Sequence, residues 1–166
     1  MRNLATSALG WLGLGKDVAK SAQDYSRFHY SPDLIASLKD DHAELLRMFV
    51  DIERMATDGR YATIAAALSA FKAKFDIHIF NENLHFYCYV EEKLAGQTGE
   101  EALIRSFRAE MNSIARGVVN FVKKWRMSGV RVANGPQFLV ELQQIGVLLV
   151  QRIEHEEKDL YTLYQP

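Results

Sequence analysis

Residues 76–92, DIHIFNENLHFYCYVEE, read as the middle of a long buried helix that carries His78, Glu82 and His85 on its apolar side. Followed from Thr63 to Leu94, the seam is Leu68, Phe71, Phe75, His78, Glu82, His85 and Tyr89. Steps of three and four keep such residues on one face of an α-helix. Polar side chains in that row are either ligands of a metal held between helices or groups satisfied by one another inside a core.

The flanking sequence supplies three further helices. Upstream, Ser31 suits a cap and Pro32 the first turn, and the helix they open runs to about Ala56 along Leu38, His42, Leu45, Phe49 and Ile52. The turn TDGR ends it. Downstream, Thr98 followed by Glu101 has the form of a capping box. That helix runs to about Met127 along Leu103, Phe107, Met111, Ile114, Val118, Phe121 and Trp125. After SGVRVANGP, Pro136 opens a last helix with the seam Leu142, Ile145, Leu149, Arg152, Glu156 and then Leu160 or Leu163. Four long amphipathic helices with short connections predict an all-α, antiparallel four-helix bundle over residues 31–166.

Composition agrees with one globular domain. The chain has 166 residues, 48% hydrophobic and 25% charged, with 20 basic against 21 acidic side chains. That balance gives no pull towards nucleic acid or an anionic membrane. The single Cys88 excludes an internal disulfide and fits a reducing, cytoplasmic setting. No apolar run reaches the roughly 20 residues of a transmembrane helix. Residues 1–30 are expected to form a separate helical arm, with Leu4, Ala8, Trp11 and Leu12 near one face. Packing on the bundle, peripheral membrane or partner contact through Trp11, and targeting are the readings open for it.

The informative result is which polar residues fall on the seams. The first helix places His42 there, the second His78 and Glu82, the last Arg152 and Glu156. Burying an unpaired ion costs several kcal/mol, so these side chains should meet in one network that fixes helix register. His42, His78-x-x-x-Glu82 and the stretch RIEHEEKDLY resemble the hemerythrin-like, or HHE cation-binding, family over residues 32–164. The resemblance implies a bundle in which five histidines and two carboxylates hold two non-haem irons. It carries over to His42, His78, Glu82 and Glu157 as candidate ligands.

The pattern then departs from the family. Met111 and Ala115 stand where its third helix has two histidines, and Arg152 stands where its fourth helix has one. A shifted alignment with His155 and Asp159 puts His155 off the apolar seam, and His85 adds only a lone Glu-x-x-His. A guanidinium beside a dication is strongly repelled and is itself matched to carboxylates. The economical expectation is that Arg152 replaces the metal's charge by pairing with Glu82 and Glu156 or Glu157, leaving a core without cofactor. One or two non-haem irons are the alternative.

Two stretches, IGVLLVQRIEHEEKDLY and HFYCYVEEKL, also resemble the Rsd/AlgQ family of bacterial sigma-factor regulators. That likeness implies a regulatory module whose partner is another protein, conceivably a sigma factor. No nucleophile–base constellation, phosphate loop or zinc spacing is present, and no enzyme is expected. The basic cluster VKKWR, residues 122–126, reads as favourable charge at a helix C-terminus around a core Trp125. An iron-binding protein that senses or binds O2 or NO is the competing function.

Overall fold

A computed structural model describes residues 28–166, and the arm predicted over residues 1–30 lies almost wholly outside them. Helix α1 spans Leu34–Thr57. Helix α2, Tyr61–Asn81, continues through a π-helical segment, Glu82–Tyr87, into α3, Cys88–Lys93. Helix α4 spans Thr98–Ser128 and α5 spans Gly135–His155. A second π-helical segment, Glu156–Leu160, and a 3-10 turn, Tyr161–Leu163, prolong α5. Contacts run α1 to α2, α2 to α4, α4 to α5 and α5 back to α1, which closes an up-and-down ring.

Several local expectations change. Ser31 is not the cap: Asp33 takes that position without a side-chain bond, while the Ser31 N–H donates to the Tyr164 hydroxyl at 2.9 Å. Gln97, not Thr98, precedes α4, and Glu101 reaches back to accept from Gly96 N–H at 2.7 Å. Leu103 faces solvent because Ile104, in phase with Met111, Val118 and Trp125, takes the core side. Gly129 closes α4 with φ +69°, a left-handed conformation that costs glycine little.

Two apolar clusters fill the bundle. The larger one gathers Phe49, Phe71, Phe75, Phe121, Trp125 and Phe138 with the leucines around them. The smaller one, at the end where the chain terminates, gathers Leu38, Phe86, Tyr87, Tyr89, Leu160, Tyr161 and Tyr164. His42, His78, Glu82, Arg152 and Glu156 are the buried polar or charged residues among those described. Gly146 is fitted to the larger cluster, since a Cβ there would stand 2.7 Å from Phe49 Cε1. Gly146→Ala is expected to cost about 1–3 kcal/mol by overpacking, despite alanine's better helix propensity, as read in thermal denaturation.

Candidate metal centre

Each polar residue reaches the interior from a helix that is otherwise apolar on that side. On α1, His42 lies between Leu38 and Leu45, and on α2 His78 follows Phe75 at helical spacing. Glu82 and Glu156 are the first residues of the two π-helical segments. A π turn inserts one extra residue into a helix and re-aims the side chains beyond it. Its effect here is to swing Phe86, Tyr87 and Tyr161, which lie beyond Glu82 and Glu156, into the core.

His42 is held on both ring nitrogens. Its Nε2 lies 3.1 Å from Glu156 Oε2 and its Nδ1 lies 2.9 Å from Glu157 Oε1. Both nitrogens donate only in the imidazolium. Burial opposes that charge, but hydrogen bonds to Glu156 and Glu157 outweigh it and raise the pKa above the usual range. Glu156 is likewise pushed up by burial, yet His42 and the Arg152 guanidinium hold it below an ordinary carboxylate.

Arg152, 2% exposed, donates from Nε to Glu156 Oε1 at 2.6 Å, from one terminal nitrogen to the Tyr87 hydroxyl at 2.8 Å, and from the other to Glu110 Oε2 at 3.2 Å. It also lies over the Phe107 ring, 5.1 Å from its centroid. The pairing expected with Glu82 is not formed. Glu82 instead accepts from the Tyr161 hydroxyl at 3.2 Å, and burial together with Glu156 pushes its pKa up to about 8. Burial and the neighbouring His42 charge push His78 down to about 4.

Among the described residues two buried side-chain atoms lack a hydrogen-bond partner: His78 Nδ1 and Glu82 Oε2. Asp41 Oδ2 stands 3.6 Å from His78 Nδ1, close enough for charge attraction but too long for a hydrogen bond. The imidazoles of His42 and His78 meet edge to face, 4.7 Å between centroids. Ligand atoms of His42, His78 and Glu156 all lie within 4.8 Å of one another, the one such group among the described residues. A cavity of about 20 Å³ adjoins them, lined on its other side by Phe71, Phe75, Met111 and Leu149.

The scan of protein families matches the hemerythrin HHE cation-binding domain over residues 33–164. The chain belongs to that family. No curated protein and no solved structure matches it, and nothing supports the sigma-factor-regulator resemblance. Within this HHE domain His42, His78 and Glu156 form a possible cation site, with part of the ligand pattern replaced. Met111 and Ala115 leave α4 without a nitrogen ligand, and a guanidinium occupies the α5 side of Glu156.

The remaining sequence candidates sit elsewhere. Glu157 is half-buried and touches the Nδ1 side of His42, away from Glu156. His85 is exposed, because the π-helical segment turns the seam from Glu82 to Phe86 and carries His85 outward. His155 and Asp159 are exposed as well, so the shifted alignment brings no ligand inside. Tyr161, Asp41 and Glu110 join the site without any signal in the helical seams. The aromatic step from Glu156 to Tyr161 is five residues, a spacing that only a π turn brings to one side.

Proposed function

We propose that this HHE domain binds a single divalent transition-metal ion through His42, His78 and Glu156, with Arg152 serving as the fixed second cation of the layer. The observation that carries this is the convergence of those three ligand atoms within 4.8 Å in the buried layer. Two imidazoles and one carboxylate are the donor set that suits ferrous iron with open positions. When bound, such an ion supplies vacant coordination positions and one-electron chemistry towards small molecules.

The chain's own residues do the positioning. Glu157 accepts from His42 Nδ1 and so leaves Nε2 directed at Glu156. Asp41 stands behind His78 in the corresponding place. Carboxylates behind ligating histidines fix ring orientation and raise basicity. Glu156 shares its two oxygens, one towards His42 and one towards Arg152. The guanidinium therefore holds the carboxylate in place and keeps a second ion out by charge.

A second reading, a metal-free regulatory or protein-interaction bundle, is favoured by how completely Arg152 is bonded. Metal analysis of the chelated and then anaerobically iron-loaded protein separates the two. One ion per chain is expected, lost in His78→Ala with the helical circular dichroism retained. Zero ions would leave the metal-free bundle, and two would remove Arg152 from the role given to it.

A further inference from the structure

The inner side of α2 carries Leu68, Phe71, Phe75 and His78 into the bundle. Its opposite side carries Ala66, Ala70, Ala73, Ile77 and Phe80, and the row passes on to Leu84 in the adjoining π-helical segment, all exposed, in steps of four, three, four, three and four. Ile77 is 56% exposed and Phe80 63%. A surface helix ordinarily turns its charges to that side. This row has none, and its steps are those of a helix–helix seam.

We infer that the outer face of α2 is the contact through which two copies of this chain associate, their α2 helices antiparallel. Residue size picks the occupant. Small residues fill the N-terminal half of the row and large ones the C-terminal half. An antiparallel second copy sets Ile77 of one chain over Ala73 of the other, Phe80 over Ala70 and Leu84 over Ala66. A twofold axis repeats each contact, as an isologous interface requires. A parallel arrangement would stack Phe80 on Phe80 and leave the alanines facing a gap.

Charge points the same way. The ionic groups beside the row are already neutralised within the chain: Lys72 bonds Asp76 at 2.5 Å, and Lys74 is held by Asp41 at 2.7 Å and Glu44 at 2.6 Å. Nothing there selects an acidic or a basic partner, and nothing repels an identical surface. The inference does not depend on the cation reading.

Sedimentation or light scattering of the full chain, with chelator present throughout, tests it. Wild type is expected at twice the chain mass. Phe80→Glu and Ala70→Glu are each expected at the single-chain mass with unchanged helical circular dichroism, since both positions face solvent in one copy. Val147→Glu, on the exposed face of α5, is expected to remain dimeric. Wild type that stays at single-chain mass at its highest soluble concentration overturns the inference. So does a dimer that survives both α2 changes, or one that Val147→Glu dissociates.

Discussion

Arg152→Ala is expected to lower stability by about 3–5 kcal/mol, the cost of leaving a buried ion pair with one member. The guanidinium is 2% exposed and makes separate bonds to Glu156, Tyr87 and Glu110. Without it, Glu156 keeps only His42 as a cationic neighbour. Lysine is a poor replacement, because one ammonium cannot serve three acceptors spread along a planar fork.

The double change Arg152→Met with Glu156→Gln should recover much of the loss. Removing both members of a buried pair leaves no orphaned charge. Urea midpoints at constant slope measure all of these. A loss below about 1 kcal/mol for Arg152→Ala would place the guanidinium in solvent rather than in the layer.

Metal-free protein is expected to be most stable on a plateau between about pH 4.5 and 6.5, where opposing contributions from the same cluster cancel, and to lose stability on either side. On the acid side the main group is His78, whose pKa falls from 6.5 to about 4 on folding. The unfolded chain binds the extra proton between those values, so stability falls as pH falls through that window. The shift corresponds to roughly 3 kcal/mol at most. Glu156 adds to the acid limb, since its lowered pKa contributes stability above the ordinary carboxylate range that is lost below it.

The alkaline limb has the opposite sign. Glu82 is neutral in the fold up to about 8. Its contribution is complete below the unfolded value of 4.5 and is lost as pH rises towards 8. His42, with its raised pKa, likewise stabilises below 6.5 and stops doing so above its folded value. Denaturation free energies at several pH values should show both limbs. His78→Phe is expected to leave stability falling from about pH 4.5 upward, and Glu82→Gln to leave it rising up to about pH 6.5. A flat profile in wild type would contradict the buried placement of both groups.

Hydrophobic spacing makes the helices legible, and with them the five polar residues found buried. His42, His78 and Arg152 sit where regular steps of three and four put them. What spacing does not reveal is a change of pitch within a helix. The segments Glu82–Tyr87 and Glu156–Leu160 are composed of residues that also suit an ordinary α-helix. Extrapolating a regular seam through the first of them places His85 inside, and extrapolating through the second leaves Tyr161 unnoticed. Glu110 depends on how α4 sits beside α5, which no single helix's pattern contains. The missing α4 histidines and Arg152 are readable, and they bear on how many ions the domain holds.

The two widened turns also set where this polypeptide tolerates a change in length. In the connections around Gly59 and Gly96, an added or lost residue alters only exposed chain. Each widened turn holds one residue more than a regular helix needs. Losing that residue returns the segment to an ordinary α-helix, whereas a loss from a regular helix rotates everything beyond it by about 100°. With one residue lost from the first widened turn, Phe86 would stand three places beyond Glu82, and with one lost from the second, Tyr161 would stand four places beyond Glu156, both steps that keep an α-helical face inward. Variants of this domain that lack a single codon should therefore keep their tertiary structure when the loss falls in an exposed connection or a widened turn, and forfeit the aromatic end when it falls in the regular helix just before one.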